Sequence, residues 1–343
     1  MNKLPEISII IANYNGESYL PTCLGSVVDT AHDSFEVIIV DDSSMDKSIK
    51  IIKSFMKKDR RIKLFVNNRN LGASASRNKA IGKAQGNILI FLDNDTQVKK
   101  NWLKELIKPL DKKNVGAAQS LLIDFDSRDK VQMAGGKLIP HTAWLGADFV
   151  EKNYKDNKNK IRKTEIVAIS ASLAVKKEVI ETVGYFDEME AVTTEDLDFC
   201  WRIWIAGFKI VLAPNSIVYH KTKTVKERQN MNSNDFQIYY HLAKNSMRSI
   251  IKNYQLKNVL RYLPYTILVN YGRAFVILLR KGDLSAFRGT NSAVLWNLKC
   301  LKNTLKERVN VQNSRKVDDE FLFGTIFLQD GILSIYSKYF SGR

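Results

Sequence analysis

The sequence predicts an α/β fold: a mostly parallel sheet with helices on both faces, followed by a helical region. The first 125 residues alternate between short apolar runs and helix-like segments, the pattern of a parallel sheet with crossover helices. Four of these runs are almost continuously apolar, as in strands buried on both faces. From about residue 226 the alternation stops and the pattern becomes helical. We therefore expect an α/β domain over residues 1–225 and a helical region over 226–343.

The predicted elements of the first domain follow one another at regular intervals. Strands are expected at 7–12, 35–41, 62–66, 87–93 and 115–123. Helices are expected between them, near 17–28, 46–57, 73–84 and 101–109. Ser44 or Asp46 can cap the second helix and Asn101 the fourth, because short polar side chains satisfy free N–H groups there. Right-handed crossovers then give a parallel sheet.

The pattern is lost over residues 124–165, and the polar stretch 151–163 is predicted to be a mobile loop. Residues 164–188 then indicate a strand, a turn and a helix. Residues 193–214 indicate an amphipathic helix, Gly207 and a short strand. Thr194, followed by Asp196 and Asp198, suits a helix start because acids interact favourably with the positive end of the helix dipole.

The cysteine content and the distribution of charge indicate which classes of protein this chain can belong to. Three widely separated cysteines argue against a disulfide framework or a zinc site, so a cytoplasmic setting is expected. The net charge is +17, and residues 201–310 hold most of the excess, with 19 basic and 4 acidic residues. Such segregation indicates a polyanionic partner: phospholipid, nucleic acid or a phosphorylated ligand.

Polar groups follow four of the predicted strands. They are NYNG at 13–16, DDSS at 41–44, NNRNLGASASRN at 67–78 and DND at 93–95. Ligands of such sheets bind beyond the carboxyl ends of the strands, so these segments outline a candidate site.

Asp93 and Asp95 project to the same side if the strand continues through them. Two converging carboxylates need a counter-charge, and Mg²⁺ binds through one or two carboxylates plus substrate phosphates. A solvated turn without a ligand is the alternative. The glycine-containing turn before residue 73 can present N–H groups to phosphate, and Arg77 can add a positive charge, unless it forms a surface salt bridge.

Asp41 and Asp42 can accept hydrogen bonds from a nucleobase N–H and from ribose hydroxyls. The alternative for either residue is a plain Asx turn before the second helix.

Four segments together resemble a known family: ISIIIANYNG, VIIVDDSSMDKS, NLGASASRNKAIGKAQGNILIFLDNDTQV and TTEDLDFCWRIWIAGFKIVLAPNSIVYH. They are similar to the inverting nucleotide-sugar glycosyltransferases of family 2, with the GT-A fold, and especially to the rhamnosyltransferase-like branch. The resemblance covers about residues 5–221. It implies a UDP- or dTDP-sugar donor and Mg²⁺ or Mn²⁺ as cofactor.

The resemblance also implies roles for individual residues. Asp93 and Asp95 are expected to hold the metal, with His220 as a third ligand or simply a histidine at a strand end. The residues expected to bind the donor are Ala12, Asn13, Tyr14, Asp41, Asp42, Gly72, Arg77, Asp93 and Asn94.

In this family an acid of the "ED" pair deprotonates the acceptor hydroxyl. The pair here is Glu195 and Asp196, and Asp196 is favoured as the base. The alternative is that Glu195 or Asp198 only interacts with the positive end of the helix dipole. Trp201 and Trp204, three residues apart, are either core residues or, for one of them, an acceptor-sugar contact.

The basic region suggests a membrane partner. Residues 236–282 contain no acid and eight basic residues, among which Lys244, Arg248 and Lys252 form one helical stripe. With the neighbouring apolar segments this predicts a helix in an anionic membrane interface, at the inner face of the cell membrane. A transmembrane span at 262–279 and a helical hairpin packed on the first domain are the alternatives. No nucleic-acid-binding motif is recognisable, so no nucleic acid is expected.

The predicted function is metal-dependent, inverting transfer of a sugar to a hydroxyl, on a lipid-linked or surface glycan. The alternatives are a nucleotidyltransferase on a similar α/β fold and a non-catalytic membrane-surface or nucleic-acid-binding protein.

Overall fold

A computed structural model describes residues 5–32, 34–161, 166–169, 171–221 and 235–329. The chain divides into two compact units. The sheet unit comprises Met1–Gly136, Ala147–Ala191 and Phe208–Thr222, and the helical unit comprises Lys137–Gly146, Val192–Gly207 and Lys223–Arg343. No single position in the chain separates the two units, because the segments 137–146 and 192–207 belong to the helical unit but lie between segments of the sheet unit.

The sheet unit contains a nine-stranded sheet with the order β3-β2-β1-β4-β10-β6-β11-β5, and β7 pairs with β6. β8 and β9 form a separate two-stranded sheet. The strands are β1 (Ile7–Asn13), β2 (Phe35–Asp41), β3 (Ile62–Val66), β4 (Ile88–Leu92), β5 (Thr96–Val98), β6 (Val115–Asp124), β7 (Val131–Met133), β8 (Gly136–Leu138), β9 (Leu145–Ala147), β10 (Ser172–Lys176) and β11 (Lys209–His220).

The first half of this sheet is parallel, as predicted, and the second half is mixed. β1 pairs in parallel with both β2 and β4, and β2 pairs in parallel with β3. β10 is antiparallel to β4 and β6, and β5 is antiparallel to β11. Every residue of β2 is buried, which explains why the strand is apolar except for Glu36 and the terminal Asp41. The parallel half places the ends of β1, β2 and β4 along one edge.

The described helices are α1 (Leu20–Val28), α2 (Ser48–Lys58), α3 (Ala73–Ile81), α4 (Trp102–Ile107), α5 (Tyr154–Ile161), α6 (Lys177–Val183), α7 (Glu195–Ile205), α8 (Asp235–Asn253), α9 (Leu256–Lys281), α10 (Ser285–Lys299), α11 (Leu301–Asn313) and α12 (Asp319–Thr325). The first four match the predicted helices to within a few residues. Asn101 takes the cap position of α4, but its side chain makes no capping hydrogen bond.

The prediction of a loop over 151–163 is wrong, because α5 occupies most of that stretch. The side chain of Asn153 accepts a hydrogen bond from the backbone N–H of Lys155, at 2.9 Å. Such a bond satisfies an N–H group at the start of a helix. This helix was not predictable from its local pattern, because its residues are mostly polar and lack an apolar periodicity.

The basic stripe of α8 lies on one helical face, as predicted, but the prediction that it faces a membrane is wrong. Its three members, Lys244, Arg248 and Lys252, are all buried. Arg248 donates to the hydroxyl of Thr304 at 2.7 Å, and Lys244 lies 4.8 Å from the centre of the Trp296 ring. The stripe therefore faces the interior of the helical unit, where polar and aromatic groups receive its charges.

Candidate active site

The carboxyl ends of β1, β2 and β4 are joined by side-chain hydrogen bonds. Asn13 Nδ2 donates to Asp41 Oδ2 at 2.8 Å, and Asn94 Nδ2 donates to Asn13 Oδ1 at 2.7 Å. Gly16 lies against this pair, since a Cβ there would come within 2.2 Å of Asn13 Oδ1. The predicted Asn13, Asp41 and Asn94 are thus brought together, with Ala12 half-buried and Tyr14 exposed beside them.

Asp41 is fully buried and has partners on both sides of the strand end. Besides Asn13, its carboxylate accepts from the backbone N–H of Ser44 at 2.8 Å and from the Ser44 hydroxyl at 2.7 Å. These bonds form the Asx turn that the sequence left open. A contact between Asp41 and a donor would have to use the remaining lone pairs of the carboxylate.

Asp42 holds the loop that precedes α3. Its Oδ1 accepts from Asn67 Nδ2 at 2.7 Å and from the Leu71 backbone N–H at 2.9 Å. Its Oδ2 accepts from the Gly72 backbone N–H at 2.8 Å. Gly72 has φ +90°, which favours glycine, and this conformation turns its N–H towards the carboxylate. Asp42 and Gly72 therefore form one structural unit at the edge of the sheet.

Asp93, Asp95 and His220 converge in the sheet unit. Each offers one ligand atom, and these atoms lie within 4.8 Å of one another. His220 Nε2 is 3.2 Å from Asp95 Oδ1, and Arg77 Nη2 is 3.1 Å from Asp93 Oδ1. Arg77 is almost fully buried and lies over the Phe186 ring, so it provides a fixed positive charge beside Asp93.

The register of two antiparallel strands explains why residues 95 and 220 meet. β11 pairs with β5 so that His220 is opposite Thr96, and the Lys221 backbone N–H donates to the Asp95 carbonyl oxygen. On its other side, His220 Nδ1 lies 2.8 Å from Gln132 Oε1 on β7. A proton on Nδ1 would donate to Gln132 and leave the Nε2 lone pair directed towards Asp95.

These residues fit a divalent cation. Among the described residues, Asp95 Oδ1 is buried and receives no hydrogen bond of normal geometry. Two carboxylates and an imidazole are a donor set that suits Mn²⁺, and carboxylates suit Mg²⁺. Burial lowers the pKa of the His220 imidazole, but the contact with Asp95 and the charges of Asp93 and Asp124 outweigh burial and raise that pKa. The carboxylates of Asp93 and Asp95 thus favour a positive charge at this position, as a bound cation would supply.

The "ED" acids lie at the start of α7, in the helical unit. Glu195 and Asp198 are buried, whereas Asp196 is half-buried, and its carboxylate accepts from the Leu197 backbone N–H at 2.8 Å. Asp198 lies 2.9 Å from Arg202 Nε and 3.1 Å from Lys252 Nζ. Asp198 therefore has a structural role in neutralising buried cations.

The two tryptophans of α7 are core residues. Trp201 and Trp204 are buried, and the Trp201 ring contacts the edges of Tyr254 and Phe327 in the helical unit. The alternative that one of them stacks on an acceptor sugar would require an exposed ring face, so the structure favours the core interpretation.

Several residues of the site were not predicted from the sequence. Ser44, Asn67 and Gln132 fix Asp41, Asp42 and His220, respectively. Ser44 and Asn67 lie in the polar segments that follow strands, so their position was a usable signal. Gln132 lies in the stretch where the strand–helix pattern is lost, and no local pattern marks it.

Comparisons with known proteins identify the family and the fold of this chain. Residues 8–184 match the model of the family described as glycosyl transferase family 2. TuaG of Bacillus subtilis, a protein named for teichuronic acid biosynthesis, is 38% identical over 107 residues; the match covers 31% of this chain and 42% of TuaG. The chain thus spans less than half the length of that relative.

Two solved structures show the same fold. Staphylococcus aureus TarS 1-349, in complex with UDP, aligns with a TM-score of 0.54 and 18% identity, over 95% of this chain and 94% of that one. GalNAc-T7, with UDP, GalNAc and Mn²⁺, aligns with a TM-score of 0.64 and 19% identity, over 99% of this chain and 59% of that one. The fold is therefore GT-A-like, and because the family model matches more than half of its length, the chain belongs to glycosyl transferase family 2.

Proposed function

We propose that this protein transfers a sugar, with inversion, from a UDP- or dTDP-sugar to a hydroxyl group. The observation that carries the proposal is the convergence of Asp93, Asp95 and His220 at the carboxyl ends of the strands of a family 2 domain. Ligands of α/β sheets bind at this edge. The rhamnosyltransferase-like branch remains a prediction from the sequence motifs.

Asp93, Asp95 and His220 would hold Mg²⁺ or Mn²⁺. When bound, the ion would neutralise charge developing on the departing diphosphate. Arg77 restrains Asp93 through the 3.1 Å contact, and the bond from Asn94 to Asn13 ties the metal-binding turn to the end of β1. Asp42 holds the loop at 67–72 in place, so the expected donor contact of Gly72 would be made by a pre-positioned group. Donor contacts of Ala12 and Tyr14 are expected from the end of β1.

Asp196 is proposed as the base that removes the proton of the acceptor hydroxyl. Of the three acids at the start of α7, it is the one that is not buried, and so the one open to an acceptor. Asp198 is buried and already paired with Arg202 and Lys252, so its carboxylate is engaged in a structural role. A base in this role accepts one proton while the acceptor oxygen bonds to the anomeric carbon and the diphosphate leaves.

The acceptor is proposed to be a lipid-linked or surface glycan, and the protein to be peripheral at the inner, cytoplasmic face of the cell membrane. Two findings support this: the naming of TuaG for teichuronic acid biosynthesis and the excess of basic residues in the helical unit.

A donor screen tests the proposed function. The full chain is incubated with UDP- and dTDP-sugars in Mn²⁺ or Mg²⁺, and released nucleotides are separated by chromatography. Release of UDP or dTDP, abolished by EDTA, is the expected result. Release of pyrophosphate instead would indicate the alternative nucleotidyltransferase, and no turnover of any donor would favour a non-catalytic protein.

A further inference from the structure

Helix α9 carries an apolar face that none of the described elements covers. Its buried residues, Val259, Thr266, Asn270 and Ala274, lie on one side. The opposite side is exposed: Leu268 is 67% exposed, Phe275 53% and Leu279 69%. At 100° per residue these three fall within about 20° of one line along the helix. Such a contiguous apolar face indicates an interaction surface rather than scattered exposed residues.

Basic residues stand at the amino-terminal end of this face. Lys257 and Arg261 are exposed in the first two turns and fall within about 20° of the line of Leu268, whereas Arg280 and Lys281, exposed in the last turn, lie more than about 100° from that line. Between them the one charged residue is Arg273, which lies 5.2 Å from the Trp144 ring centre and is therefore directed into the helical unit. The outer face of α9 thus combines an uncharged apolar part with a cationic amino-terminal end, and residues 236–282 include no acid that would repel an anionic surface.

We propose that the outer face of α9, defined by Leu268, Phe275 and Leu279 with the basic residues Lys257 and Arg261, binds the surface of an anionic lipid bilayer. Apolar side chains of such a helix enter the boundary between headgroups and acyl chains, while Lys and Arg side chains extend to the lipid phosphates. This inference deepens the proposed function and rests on its membrane-bound acceptor for its biological purpose. The outer face of α9 thus takes the place of the basic stripe of α8 as the expected membrane-binding surface, because that stripe is buried.

The opposite side of α9 argues for a helix that lies on the membrane rather than crossing it. Among the described helices, α9 alone is long and apolar enough to span a bilayer. However, Thr266 donates to the carbonyl oxygen of His141 at 2.6 Å, and the Tyr262 ring stacks on Tyr254 at 5.2 Å. A spanning helix would lose these contacts with the rest of the helical unit, whereas an interfacial helix keeps them.

Vesicle flotation with the full chain tests the proposal. Vesicles of neutral phosphatidylcholine are compared with vesicles that also contain phosphatidylglycerol. We expect binding to the anionic vesicles, weakened by high salt and reversed by alkaline carbonate. The triple variant Leu268→Gln, Phe275→Gln, Leu279→Gln should bind both kinds at least about tenfold less, because the area of three large apolar groups is lost.

Charge variants separate the two parts of the surface. Lys257→Gln with Arg261→Gln should lower binding to anionic vesicles by roughly fivefold per residue and leave binding to neutral vesicles unchanged. Lys57→Gln with Lys58→Gln, on exposed positions of α2, is the matched control and should bind as the wild type does.

Three outcomes would overturn the proposal: no binding to either vesicle, unchanged binding of the triple variant, or resistance to carbonate, which would indicate a spanning helix. Oligomerisation of the wild type that the triple variant abolishes, without any vesicle binding, would assign the face to a second copy of the chain. Release of UDP or dTDP from a soluble donor is measured in parallel. It reports the proposed function independently, because the substituted side chains are exposed and none belongs to the candidate site.

Discussion

Replacing Gln132 with leucine should weaken metal binding without changing the fold. Gln132 Oε1 lies 2.8 Å from His220 Nδ1 and is the described group that fixes which imidazole nitrogen faces Asp95. Without it, the ring can occupy two flipped orientations and two neutral tautomers, and one of these combinations presents an Nε2 lone pair to a cation. That statistical loss is roughly fourfold. With the lost hydrogen bond, the affinity should fall by about 10- to 100-fold, or about 1.4 to 2.7 kcal/mol.

The assay is a titration of the full chain with Mn²⁺ in which free Mn²⁺ is followed by electron paramagnetic resonance, without nucleotide. Gln132→Glu is the matched control. Gln132 Nε2 is buried without a hydrogen-bond partner among the described residues, so a carboxylate there keeps the acceptor and loses no existing bond. We expect Gln132→Glu to bind Mn²⁺ at least as tightly as the wild type. A Gln132→Leu variant that folds normally and binds within twofold of the wild type would refute the assigned role.

Three further predictions follow. Asp95→Ala should abolish both Mn²⁺ binding and donor turnover while the melting temperature is retained; turnover in EDTA equal to that of the untreated wild type would contradict metal dependence. Asp196→Asn should lower kcat by about 100-fold or more with little change in donor affinity. If kcat falls in Glu195→Gln but not in Asp196→Asn, the base is Glu195 and not Asp196. Glu36→Gln should lower the free energy of unfolding at pH 7 by about 2 kcal/mol, since buried Glu36 accepts from Lys63 Nζ at 2.7 Å.

The effect at Glu36 should depend on pH. Burial raises the pKa of this carboxyl, but hydrogen bonds from Lys63, Gln85 and Ser8 outweigh burial and lower the pKa. Because the pKa in the folded state lies below that in the unfolded state, this stabilisation is present at neutral pH and is lost as the pH falls through the folded-state value. Denaturation in urea at pH 7 and at acidic pH should therefore show the wild type and Glu36→Gln converging in acid; a constant difference would contradict the assignment.

In the parallel half of the sheet, β1, β2 and β4 were predictable because they are buried on both faces and their sequences are almost wholly apolar. The mixed half was not, since β10 pairs with β4 and β6 through long-range contacts that no local pattern specifies. The helix α5 was missed for a related reason: it begins with a side-chain cap at Asn153 and has no apolar stripe.

In the candidate metal site, too, some residues could be predicted from the local sequence and others depend on long-range contacts. Asp93 and Asp95 were predictable from their spacing after a buried strand. His220 was proposed from the resemblance to the family, and its contact with Asp95 depends on the pairing of β11 with β5. The direction of the basic stripe on α8 was not predictable, because helical periodicity shows that Lys244, Arg248 and Lys252 share a face but not whether that face is buried.

Calorimetric titration of UDP and dTDP into the full chain, with Mn²⁺ and with EDTA, tests the central claim most directly. If Asp93, Asp95 and His220 hold an ion that contacts the donor diphosphate, at least one nucleotide should bind at least about tenfold more tightly with Mn²⁺, and Asp95→Ala should remove that difference. If a nucleotide binds with the same affinity in Mn²⁺ as in EDTA, that result contradicts the account.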